Sequence, residues 1–445
     1  MLAASSASVQ SLYLSLLSSE FLSQAREREN NRVYSTPVVM LLMIIQRLQP
    51  EGSLESAVLE LLGLPASLWP DPCGRLRPDA RAMSTNTGAY NKARQKLPLK
   101  AVEEFSDNAF AQMTAGTNGS LPAIGRRAFV FDGTTVRTPH TKALQQLYPP
   151  TSNQEGESHW PLIRMLVAHD VATGLGMRPE WGAMNGPHAV SEQPLFEQAV
   201  QRLPEQAVVV ADANFGVFSV AFAATRQNHP VVVRMTAARA KSMWKGPLRD
   251  GIDKRIDWKP TKADRKTNPA LPLEACVRGR LIVSQVQPSD GSASFLLCLF
   301  TTLEEDVAEI LKIYGLRWNV ETDLGSLKGT LRLDQLTCKT PEMVDKEIQI
   351  AMLSYNLVRA VIYQAAQQAG ATPRSFSFTR VKRILKVYGA KIAAATTVAQ
   401  SERLFALMSH AVGQAKLYPR KKKRPAYPRE IWHSAKPFPR RKAQS

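Results

Sequence analysis

Residues 206–235 read QAVVVADANFG, GVFSVAFAATRQNHP and VVVRM in overlapping succession, and no other stretch limits the fold so strongly. A triple valine is stiff at χ1 and suits a strand. The stretch between the two valine runs has helical character, so the order is strand, helix, strand, the unit of an α/β sheet. RAFVFDGTTV at 127–136 and LIRMLVAHDV at 162–171 add two more β-branched and aromatic runs. An α/β fold is therefore expected.

On either side the pattern is helical. Residues 1–115 read as an N-terminal helical region: SLESAVLELLGL has helical period with Ser53 as its cap. In STNTGAYNKARQKLPLKAVEEF, Lys92, Arg94 and Lys96 lie near one another, a basic helix that would dock on DNA or be an ordinary solvated face. The turn-rich TAGTNGSLP then opens the first part of the core, 116–236. Over 237–295 the composition shifts to Lys, Pro, Asp and Gly around the strand-like RLIVSQVQ and SFLLCLF, which reads as a β-rich insertion. Core helices return over 296–370, and 371–445 is read as a helical end followed by a basic arm.

The charge narrows the partners. The chain holds 57 Lys and Arg against 38 Asp and Glu, a net +19, and residues 416–445 hold eleven cations and one acid, or +10. Such a surplus suits a polyanion. A membrane is disfavoured, because the longest apolar run, PVVMLLMII from Pro37, is far shorter than the ~20 residues a span needs. With no signal-peptide pattern at the start, a cytoplasmic, nucleoid-associated protein is expected. Cys73, Cys276, Cys298 and Cys338 show neither zinc-ligand spacing nor a disulfide framework.

The candidate chemistry rests on carboxylates. Asp132 and Asp212 each end an apolar strand run, and ligands of α/β sheets collect at strand carboxyl ends. Taken singly each is also a common turn residue, as Asp170 after its own strand shows. A third acid, Glu321, lies in YGLRWNVETDLGSLKG, residues 314–329. At about 100° per residue, Tyr314, Arg317, Glu321 and Lys328 share an arc of roughly 60° beside an apolar stripe. Three carboxylates suit Mg²⁺, which takes oxygen ligands and keeps positions open for water and phosphate. Two such ions assist phosphodiester chemistry from both sides. Arg317 would then hold a phosphate by its fork and Lys328 as a point charge.

These residues resemble a known family, the DDE-type transposases of bacterial insertion sequences, in the group named after insertion sequence 4. Its signature Tyr-x2-Arg-x3-Glu-x6-Lys is matched at every spacing by Tyr314, Arg317, Glu321 and Lys328. FDGTTV and VVVADANFG resemble the family's segments around its two aspartates, and LRLDQLTCKTPEMVDKEIQIAMLSYNLVRA the segment after its glutamate. The resemblance implies a ribonuclease H-like catalytic core with a β-rich insertion, preceded by an N-terminal helical domain. It implies that Asp132, Asp212 and Glu321 are the catalytic metal ligands and that Tyr314, Arg317 and Lys328 bind DNA. The implied cofactor is Mg²⁺, with Mn²⁺ as the alternative. The implied partners are double-stranded DNA, as terminal inverted repeats and target, and a second copy of the chain in a synaptic homodimer. Where several relatives carry a cation after the second aspartate, this chain has Ala213, so no cationic DNA contact is expected there. Trp244 and Trp258 are the insertion's candidates for holding a flipped base, weighed against packing.

The activity expected from this reading is cutting of element ends and joining of the 3′-hydroxyl to target DNA. Two rivals stand beside it: a nuclease of the same fold, and a catalytically inactive DNA-binding derivative.

Overall fold

The computed structural model describes residues 9–29, 33–49, 52–63, 84–153, 156–288, 293–393 and 395–417. Cys73 and residues 418–445 of the basic arm lie outside them.

The valine runs become the middle of a mixed sheet. Its strands are β1 (Ser120–Leu121), β2 (Arg126–Arg137), β3 (Pro150–Asn153), β4 (Gly156–Asp170), β5 (Glu180–Ala183), β6 (Val208–Ala211), β7 (Val231–Arg234), β8 (Ile252–Trp258), β9 (Val277–Val286) and β10 (Phe295–Thr301). The order is β3-β4-β2-β6-β7-β10-β9-β8, with β1 on β2 and β5 on β4. β2, β6 and β7 run parallel to one another, and the remaining pairs are antiparallel. The Phe218–Arg226 helix makes the crossover between β6 and β7. Every residue of β6 and the three valines of β7 are buried, as central parallel strands covered on both faces require.

The 237–295 segment prolongs this sheet. β10 pairs with β7, β9 with β10, and β8 with β9, so the added strands continue the core's hydrogen-bond ladder. Trp258, at the end of β8, is buried against Phe300 and Phe218 with ring centroids 4.8 and 5.8 Å away. That indole packs the junction and does not present itself to a ligand.

Among the described residues six helices precede the sheet, Val9–Ser15, Ser19–Glu29, Thr36–Leu48, Leu54–Gly63, Gly88–Lys96 and Leu99–Ala115. The apolar run from Pro37 forms the third of these and is buried along nearly its whole length. Ser53 caps the fourth, its Oγ accepting from Ser56 N at 3.0 Å. The first, third and sixth of these pack on the 28-residue Pro341–Gln368 helix, whose middle is buried on every side, and the other three pack on Thr36–Leu48. Among the described residues no helix is long and apolar enough to cross a membrane.

Two sequence expectations change. Asp132 does not end its strand, because β2 continues to Arg137 against β4; what ends after Phe131 is its pairing with β6. The 314–329 stretch is also no regular α-helix. It runs as the Val307–Gly315 α-helix, a 3₁₀ turn at Leu316–Trp318, an α-helix at Asn319–Gly325 and a π-turn at Ser326–Thr330. The π-turn is closed by Leu331 N donating to Ser326 O at 3.0 Å. Tight and wide turns rotate each residue by different amounts, so one fixed angle per residue does not place these side chains.

Candidate active site

The site begins where two parallel strands part company. β2 and β6 are in register up to Phe131 opposite Ala211, and the next residue on each chain is an aspartate. Parallel neighbours lie about 4.8 Å apart, so Asp132 and Asp212 are set side by side by the ladder itself. Burial, and then the charge of Asp212, push the Asp132 carboxyl up to about 6. Arg317 and the Gly133 amide act in the opposite direction. Asp212 lies in a tight turn, its Oδ1 accepting from Asn214 N at 2.8 Å.

A further carboxylate, missed in the sequence, adjoins the pair. Glu192 opens the Glu192–Ala199 helix and lies over Gly133, where a Cβ would overlap its carboxylate. Burial raises the Glu192 pKa; Arg164 lowers it and Asp212 raises it. Only the glycine after Asp132 signals so close an approach, and nothing in the sequence says which side chain makes it.

The irregular helix lies across this end of the sheet, with Asn319–Gly325 packed on β2. Tyr314 is buried; burial raises its pKa, Arg317 and Arg234 lower it, and Asp212 raises it. Its hydroxyl and Arg317 Nε are buried without a hydrogen-bond partner. Arg317 stacks on the Trp318 ring at 4.8 Å and stands 4.0 Å from Glu321. Lys328 donates to Thr134 Oγ1 and to Thr135 O, both at 3.0 Å, which ties the π-turn to β2 just beyond Asp132. Beside these residues Gly315, Gly325 and Gly329 each face open space where a side chain would stand. That leaves room for a bulky ligand to approach the helix.

Tyr314, Arg317 and Lys328 are thus brought to the aspartate pair. Glu321 reaches that group through Arg317, and its own side chain is 55 % exposed. Among the described residues no three His, Cys, Asp or Glu side chains are gathered closely enough to hold a metal. Asp132 and Asp212 nevertheless form a repelling oxygen pair of the kind that a hard divalent cation relieves.

Beneath the helix lies a buried ionic knot that sequence reasoning also missed. Asp323, two residues after Glu321, is fully buried and receives both arginines Arg359 and Arg374 and the Tyr355 hydroxyl, the last at 2.9 Å. The arginines outweigh its burial and hold its carboxyl down to about 2. The buried His169 ring stands 4.0 Å away and is driven down to about 4 by burial.

Comparison with known proteins bears on this geometry. Residues 124–357, more than half of the chain, match the family model described as the transposase DDE domain. The chain is 24% identical over 298 residues to the transposase InsG for insertion sequence element IS4 of Escherichia coli (strain K12). That alignment covers 65% of this chain and 64% of the relative, so it spans just under two thirds of the relative's length. A piggyBac transposase, solved by cryo-EM in a synaptic complex with hairpin DNA, aligns with 94% of this chain and 84% of that one. The identity there is 11% and the TM-score 0.42.

Proposed function

Because the chain belongs to the transposase DDE domain family, we propose that it is a metal-dependent DNA transposase whose catalytic ligands are Asp132, Asp212 and Glu321. The observation that carries this reading is the aspartate pair set side by side where the parallel pairing of β2 with β6 stops, under a helix that brings Tyr314, Arg317 and Lys328 alongside. The strand arrangement supports a ribonuclease H-like core, with β2, β4 and β5 antiparallel and β6 and β7 parallel beside β2.

The two buried orphans, Tyr314 Oη and Arg317 Nε, together with the crowded carboxyl of Asp132, fit a site that receives a cation and a phosphate. Asp132 and Asp212 would hold Mg²⁺ or Mn²⁺, completed by the exposed Glu321 side chain. A bound divalent cation supplies Lewis acidity to the phosphodiester and acidifies a water nucleophile. The chain's own residues do the rest. Arg317 presents a planar fork to a phosphate beside the cut, and the Tyr314 hydroxyl donates a hydrogen bond to the same group. Lys328, fixed on β2 by Thr134 and Thr135, holds a phosphate on the other side of Asp132. The substrate is double-stranded DNA, the terminal inverted repeats of the element and then its target, with two copies of the chain pairing two ends.

The test is a linear DNA ending in the repeat that flanks the gene, incubated with Mg²⁺ or EDTA. Wild type with Mg²⁺ is expected to cut at the repeat boundary and join the end to target, while Asp132→Asn and Glu321→Gln are silent. Wild-type cutting by Glu321→Gln would remove Glu321 from the ligand set. Cutting without joining would leave a nuclease.

A further inference from the structure

Away from the aspartates, a pocket of about 270 Å³ lies where the N-terminal helices meet the segment leaving the π-turn. Its walls carry Arg47, Arg94, Arg332, Asp334 and Glu347, and the exposed Gln335 and Thr337 stand at its mouth.

Among the described residues, the two carboxylates of this pocket are both engaged away from Arg94. Glu347 is already saturated: Arg47 Nη2 donates to it at 2.6 Å, Thr337 Oγ1 and Cys338 N at 2.9 Å, and Thr337 N at 3.0 Å. Asp334 is approached from outside by Arg137 at 3.4 Å. Among the described residues Arg94 meets only neutral groups, Gln46 Oε1 at 3.3 Å and Cys338 Sγ at 3.5 Å, and its Nε is buried with no partner. Crowding by Arg47 lowers the Arg332 pKa further after burial has done so. Nearby Lys382 is pushed down to about 8 by burial and then by Arg332 and Arg47. A guanidinium fork without a carboxylate, inside a cationic pocket, matches a tetrahedral oxyanion.

We propose that this pocket binds a phosphate group, with Arg94 as its principal ligand and Arg332 beside it. The occupant is a backbone phosphodiester of DNA or a free phosphate, both of which offer the same oxygens. Of the three cations that share the Gly88–Lys96 helix, Lys92 and Lys96 do not line this pocket and Arg94 does. An anion here would tie that helix to the chain just beyond Lys328.

The full chain is melted in chloride buffer while inorganic phosphate is titrated at constant ionic strength. Its binding to a short linear duplex is then followed against salt. The wild-type midpoint should rise along a saturating curve, and Arg94→Gln should abolish that rise. If Arg94→Gln also makes the salt slope of duplex binding shallower by about 0.9, the occupant is a DNA phosphate; equal slopes assign the pocket to free phosphate. Arg94→Lys, which keeps the charge but not the fork, should saturate only at higher phosphate and guards against a misfolded glutamine variant. Asp132→Asn should saturate like wild type, which separates this site from the proposed cutting chemistry. No saturable response in wild type, or an unchanged response in Arg94→Gln, overturns the proposal.

Discussion

Arg374 donates from one nitrogen to both oxygens of Asp323, at 2.6 and 2.8 Å, and Asp323 is two residues from Glu321. The same arginine donates through Nη2 to Asp170 O at 2.6 Å and through Nε to Val171 O at 2.8 Å. One guanidinium therefore pins the Asn319–Gly325 helix to the end of β4. Breaking a buried pair from one side leaves an uncompensated charge, here two arginines facing a neutral amide. Asp323→Asn should cost about 3–5 kcal/mol in urea unfolding. A loss under about 1 kcal/mol would mean that the knot does not anchor the helix.

The same knot predicts an acid limb. His169 titrates at about 4 in the folded chain against 6.5 for the ordinary group, because burial disfavours its charged form. As pH falls through 6.5 the unfolded chain takes up a proton that the folded chain refuses, so stability is present above 6.5 and is lost on the way down to about 4. Asp323 contributes below this window, its share being lost as pH falls from its ordinary 3.8 through about 2. His169→Gln should flatten the wild-type slope between pH 6.5 and 4 in chemical unfolding. An unaltered slope would assign the limb to other groups.

Asp132 gives the opposite sign. Its carboxyl is raised to about 6, so the folded chain holds that proton more tightly than the unfolded one, and the benefit is lost as pH rises from about 4 through 6. In EDTA at pH 7.5, Asp132→Asn should therefore be more stable than wild type, by about 1–2 kcal/mol once solvent screening is allowed for. Adding Mg²⁺ should raise the wild-type melting midpoint and leave the variant unmoved. Equal Mg²⁺ shifts in the two proteins would remove Asp132 from the metal site.

The sequence makes the sheet's centre legible because central parallel strands must be apolar on both faces, and few patterns besides VVVA and VVVR satisfy that. Asp132 and Asp212 stand out because each interrupts such a run. Strand register is less legible: Asp132 sits mid-strand because β4 outlasts β6 as a partner of β2, and pairing length is not written locally. The 314–329 stretch announces its residue types and spacing, yet its 3₁₀ and π turns come from how the chain packs over β2. Glu192 and the Asp323 knot stayed invisible because their partners are distant in sequence.

Glu192 and Gly133 give a pairwise prediction free of any assumption about catalysis. A Cβ at position 133 would overlap the Glu192 carboxylate, so that half-buried side chain must swing away from the place it holds beside Asp132 and Asp212. Gly133→Ala should destabilise the chain by about 0.5–1.5 kcal/mol, the cost of holding a displaced side chain off its preferred rotamer. Glu192→Ala removes the obstructing group. In the double variant most of the Gly133→Ala cost should vanish, a coupling of about 0.5 kcal/mol or more measured by urea unfolding of all four proteins. Additive costs would show that Gly133 is required for some reason other than the close approach of Glu192.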